Sequence, residues 1–130
     1  MAERLLLRHS LPNGLILELY DCSRPMAGDR WQVVLEVRLP IPVSVASLPP
    51  DLANRAQEVI AALGPEIIFS QRELHHFIDA RDVPGCLEEM QARLLEVLKG
   101  YLGHPDFAWR YIRRKFAEHQ ERQHWYPDQK

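Results

Sequence analysis

The chain has 130 residues, 46% hydrophobic and 26% charged, which is the balance of a globular protein able to bury a core without metal or disulfide staples. Sixteen basic residues against eighteen acidic leave a net charge of -2. No global field therefore draws the molecule to nucleic acid or anionic lipid, and any such binding would need a local patch.

Residues 3–11 and 15–21 read as two strands around Pro12-Asn13-Gly14, with Leu5, Leu7, Leu11, Leu15, Leu17 and Leu19 as the apolar stripe. Parity selects the turn. A two-residue loop would set leucines beside polar residues, whereas a three-residue loop pairs Leu11 with Leu15, with Gly14 as the left-handed residue of a G1 bulge. Residues 22–30 read as a longer connection into the most regular stretch of the chain. From Trp31 to Val43 every second residue is apolar, the period of a strand with one face on a core, worth about 10 to 20 kcal/mol gross when buried. Pro40 and Pro42 cannot donate to a ladder, so this strand's far end is expected at an edge or outside the sheet.

Residues 43–50 read as a linker. Pro49-Pro50-Asp51 suits a helix start, Leu52, Ala56, Val59, Ile60 and Leu63 form its stripe, and Gly64-Pro65 ends it. Residues 66–81 are open to helix or strand, and Ile67-Ile68-Phe69 favours strand. After Pro84, the set Leu87, Met90, Leu94, Val97, Leu98 and Tyr101 predicts an amphipathic helix closed by Gly103. A last helix starts near Pro105, with Ala108, Tyr111, Ile112 and Phe116 inward and Arg110, Arg113 and Arg114 opposite. The expected fold is α+β, order βββαβαα, an antiparallel sheet of about four strands (a meander plus one) with three helices. Residues 1–122 are expected as a single domain and 123–130 as a frayed tail.

Two surfaces are candidates for interaction. Trp109, Arg110, Arg113, Arg114, Trp125 and Tyr126 mix aromatic and basic groups, a combination that suits a protein partner and, more weakly, nucleic acid. The second is the outer face of the long strand, where Val34, Glu36 and Arg38 join Leu6, Ile16 and Tyr20 in a surface too apolar to be wholly wet. His75, His76 and Asp79 sit close together, and His75 and Asp79 at i, i+4 would converge on a helix, but on a strand the histidines point to opposite faces and Asp79 stands about 13 Å from His75, so no metal or cofactor site is expected. No nucleophile elbow or phosphate loop occurs, and no catalytic residue is assigned.

Arg4-Leu5-Leu6-Leu7-Arg8 followed by Asp21-Cys22-Ser23 is similar to the R-x-x-x-R and D-x-S-x-x-G motifs of PilZ domains, and the resemblance implies cyclic-di-GMP binding. Gly28 falls two residues late for the second motif and a helical second half replaces the expected barrel, so the chain is not assigned to that family. Arg4 and Arg8 are instead expected on the outer sheet face near Glu18 or Glu36.

Cys22 and Cys86 lack C-x-x-C spacing and are expected as reduced thiols. Leu5-Leu6-Leu7 is too short for a signal-peptide core or a membrane span, which places the protein in the cytoplasm. The functional expectation is a non-enzymatic protein-binding or adaptor domain, with a homodimer the commonest form of such association. The alternatives are an enzyme or small-ligand domain with a site built from distant residues, and weak nucleic-acid binding through the last helix.

Overall fold

The computed structural model describes residues 3–125, with side chains to Gln123. The alternating stretch forms β4 (Arg30–Pro42), the strand to which most of a five-stranded antiparallel sheet attaches. Its apolar face is buried from Val33 onward, where Val33, Leu35, Val37, Leu39 and Ile41 expose no surface, while Trp31 is half-buried. β1 (Arg4–Ser10) and β2 (Ile16–Asp21) form the expected hairpin. Leu11 N–H donates to Leu15 O at 2.8 Å, Gly14 N–H to Leu11 O at 3.0 Å, and Gly14 takes φ +89°, as the three-residue turn requires.

A β-bulge between Leu5 and Leu7 shifts the register at the start of β1. One extra residue reverses which side chains face the core. Leu5 therefore stands opposite Tyr20 and is exposed, leaving the leucine stripe it was expected to join, while Arg4 stands opposite Asp21 and pairs with it at 3.1 Å. Arg8 does meet Glu18, at 3.4 Å.

The expected connection over 22–30 contains a further strand, β3 (Arg24–Ala27). β2 and β3 keep one register along β4 as far as Pro25, with Asp21 opposite Leu35 and Arg24 opposite Gln32, so they form one edge interrupted at Cys22-Ser23. At the interruption Cys22 N–H donates to Val34 O (2.9 Å) while Val34 N–H donates to the Ser23 hydroxyl oxygen (3.0 Å). The serine side chain thus replaces a backbone carbonyl. Because Cys22 bonds Val34, even-numbered residues of β4 direct their backbone groups toward β2 and β3, and odd-numbered residues toward the opposite edge. Pro40 and Pro42 are even, and the ladder with β2 ends at Arg38. The prolines therefore lack N–H groups where no strand asks for them, and β4 continues through both.

Two compact units are distinguished. The first comprises the chain up to Pro40 with Ile68–His104. It holds most of the sheet, a 3-10 turn at Ala80–Asp82 and α3 (Val83–Leu102), whose Leu87, Met90, Leu94, Leu98 and Leu102 are buried. Val97 and Tyr101, expected in that stripe, are exposed, and Leu102 takes the inward position one turn beyond Leu98. The hairpin turn meets the end of this helix. Asn13 Nδ2 donates to the carbonyl of Leu102 (2.8 Å), one of those the helix end leaves without an intrahelical partner, and to that of His104 (3.0 Å) just beyond it.

The second unit comprises Ile41–Ile67 and the chain from Pro105. Its predicted linker holds a 3-10 turn at Val45–Ser47, and its first predicted helix is split into α1 (Pro50–Ala53) and α2 (Ala56–Leu63) at Asn54-Arg55. Leu52 and Val59 are buried as expected, as are Ile112 and Phe116 of α4 (Phe107–Trp125), which packs on α2. Gln123 to Trp125 continue this helix where fraying was expected, and residues 126–130 lie outside the described residues. Among the described residues no helix is long and apolar enough to cross a membrane.

Ser23→Ala is expected to lower the unfolding free energy by about 1 to 3 kcal/mol, since it strands the buried Val34 N–H. Urea denaturation checks this, and a change within error would show that the bond to Ser23 is dispensable.

Candidate functional site

Gly64, with φ +87°, ends α2, and the β-branched and aromatic run after Pro65 starts β5 (Glu66–Asp79), the strand expected over this stretch. β5 pairs with β4. Val43 N–H donates to Pro65 O at 2.8 Å, and the side-chain pairs Gln32–His76 (3.2 Å) and Glu36–Arg72 lie in the same register. Odd residues of β5 thus direct their backbone toward β4, and the N–H and C=O groups of Ile68, Ser70, Arg72, Leu74 and His76 point the other way. Among the described residues no further strand pairs with that side. On the outer sheet face Ile68 is 51% and Leu74 44% exposed, so the strand presents both a free hydrogen-bonding edge and apolar side chains.

The opposite face of β5 is tied to α3. Arg93 grips both carboxylate oxygens of Glu73, one of them at 3.0 Å, and His75 Nε2 lies 2.9 Å from the same carboxylate. The Arg93 hydrogen bonds outweigh burial and hold Glu73 well below the ordinary carboxylate range, at about 2. At the end of the strand Phe77 adopts φ +59°, a left-handed conformation uncommon for a bulky side chain, and is 68% exposed. It lines a cleft of about 630 Å³ with Arg30, Asp79, Arg81, Cys86 and Arg93 among its neighbours. Arg30 pairs with Asp79 at 2.9 Å. Burial, followed by the charge of Glu89, pushes the Cys86 thiol up, and burial does the same for Cys22. Both sulfurs are therefore neutral near pH 7 and poorly suited to nucleophilic work.

The predicted outer-face site is covered by its own chain. Val34 is 2% and Glu36 7% exposed. Glu36 is held between Arg38 and Arg72, and these arginines overcome the effect of burial and lower its pKa. Arg38 also pairs with Glu3 and lies 4.1 Å from the Tyr20 ring centroid. Val34 and Glu36 lie on a face expected to be crossed by a helix, the C-terminal tail or another chain, and side chains from the neighbouring strands, Arg72 among them, cover it instead.

On α4, Trp109 is half-buried beneath Arg110 and Arg113, at 5.5 and 4.8 Å from its ring. Arg110 pairs with Asp106 (3.6 Å), Arg113 with Asp51, and Arg114 with Glu118 (3.5 Å). The Trp125 side chain and Tyr126 lie outside the described residues. The residues that resemble the PilZ motifs serve the sheet itself: Asp21 takes Arg4 and accepts from Ser23 N–H at 2.9 Å, while Ser23 accepts from Val34. His75 and His76 engage Glu73 and Gln32 respectively, consistent with opposite faces of a strand. The β5 edge was missed because sequence alternation does not reveal which strands end a sheet.

Comparison with protein-family models, curated proteins and solved structures finds no match.

Glu73→Gln is expected to remove stability that the wild type holds above about pH 4.5 and loses as pH falls toward 2, since the folded-state pKa is depressed. Unfolding midpoints from pH 7 to pH 2 should show the two proteins far apart at neutral pH and converging in acid. A constant difference would refute the assignment.

Proposed function

We propose that this chain is a non-enzymatic cytoplasmic protein-binding module that receives an extended segment of its partner along β5. The supporting observation is the outward row of backbone groups from Ile68 to His76, beside exposed Ile68 and Leu74. An added strand would pair those backbone groups for affinity, while alternate side chains would meet the apolar positions for specificity. The Glu73–Arg93 pair fastens the strand to α3, so the edge is held ready without a partner, which lowers the ordering cost of binding. Cys22 and Cys86 are free thiols, which accords with a reducing compartment.

Proline substitution separates the edge from the fold. Ser70→Pro removes an N–H that points away from β4 and should change stability by less than about 1 kcal/mol, whereas Gln71→Pro removes one that bonds β4 and should cost about 3 kcal/mol or more. Extended peptides selected from a random library against the wild type should perturb the amide resonances of Ser70, Arg72 and Leu74 and should bind Ser70→Pro at least tenfold more weakly. Peptides that map elsewhere, or that bind Ser70→Pro equally well, would remove the reading.

A further inference from the structure

We propose that the strand received by β5 is β5 of a second copy, paired antiparallel about a two-fold axis through Gln71. The inference rests on the binding-edge reading and names its occupant. A two-fold axis normal to a sheet preserves the side to which each residue points, and directly opposed residues in an antiparallel pair share a side. The axis must therefore pass through a residue, and that residue determines every pair.

Charge and apolar contact along β5 together discriminate among the positions. An axis through Arg72 places arginine against arginine, and one through Glu73 places glutamate against glutamate. Directly opposed like charges are destabilising. One through Leu74 leaves Ile68 opposite Ala80, outside the strand, one through Ser70 sets Ile68 against Arg72 and Leu74 against Glu66, and one through Phe69 sets Ile68 against Ser70 and Leu74 beyond the strand end. With the axis on Gln71, Arg72 faces Ser70 of the second copy, Glu73 faces Phe69, and the uncharged Gln71 side chains meet at the centre. Ile68 faces Leu74 twice, so the two exposed aliphatic side chains that β5 carries on this face cover one another. Ile68, Ser70, Arg72 and Leu74 are also the residues whose backbone groups point outward, and each opposed pair among them exchanges two hydrogen bonds. The regular stretch from Ile68 to Leu74 lies wholly before the left-handed Phe77. The charges at Arg72 and Glu73 thereby act as register selectors within the edge.

The register is tested by cross-linking the full chain. In this pairing the two Gln71 residues form a non-hydrogen-bonded pair with Cα atoms about 4.5 Å apart, within disulfide range, whereas the two Leu74 residues stand about 20 Å apart along the ladder. Under mild oxidation Gln71→Cys should give at least tenfold more covalent dimer than Leu74→Cys, with wild type, which carries the native Cys22 and Cys86, as the baseline. Sedimentation equilibrium should show wild type at twice the chain mass and Ser70→Pro shifted to monomer. A monomeric wild type, or Gln71→Cys cross-linking no faster than Leu74→Cys, would overturn the proposal. If wild type is monomeric while selected peptides still perturb the Ser70, Arg72 and Leu74 amides, self-pairing alone fails. If those peptides perturb none of them, the edge reading fails with it.

Discussion

The alternation of backbone hydrogen bonds along β4 is the constraint from which the rest of the sheet follows. Even residues bond toward β2 and β3, as the Cys22–Val34 bond shows, and odd residues bond toward β5, as Val43 and Pro65 show. This division explains why two prolines can sit in the strand carrying the most buried apolar face in the chain. Both are even, and both lie beyond Arg38, where the ladder with β2 ends. The same parity carries over to β5, where it turns the backbone of every even residue outward.

Side chains repair the sheet where its ladder is irregular. Ser23 supplies an acceptor for Val34 where β2 gives way to β3, and Asp21 caps the same step while holding Arg4. Glu36 sits nearly buried beneath the surface between two arginines, and the charge it keeps there depends on both. Removing one partner of such a group leaves a desolvated charge, which costs more than the intact pair contributes. Asn13 joins the hairpin turn to the last carbonyl of α3, that of Leu102, and to that of His104 just beyond it. Gly103 is needed beneath that turn, since a Cβ there would lie 2.9 Å from Pro12 Cδ.

Local pattern made much of this legible. The three-residue turn at Pro12-Asn13-Gly14 follows from matching leucine stripes, the strand at 66–79 from β-branched residues after Gly64-Pro65, and α3 and α4 from helical spacing. Errors arose where one residue changes parity or where a second layer intervenes. The bulge near Leu6 moves Leu5 out of the apolar stripe, and β3 leaves no signal in the sequence because its four residues are exposed and carry no alternation. Val97 and Tyr101 lie at the margin of a helical stripe, where spacing alone assigns either side.

By itself the sequence determined the α+β class, the antiparallel hairpin and its turn, and the apolar face of β4, because these depend on side-chain period and turn chemistry between near neighbours. Only the tertiary structure decided that β4 is interior and β5 an edge, and hence that Val34 and Glu36 are covered while Ile68 and Leu74 are exposed. Strand order is a matter of long-range pairing. A strand's own residues carry the same alternation whether it has one neighbour or two, so the surface available to a partner emerged only when the strands were set side by side.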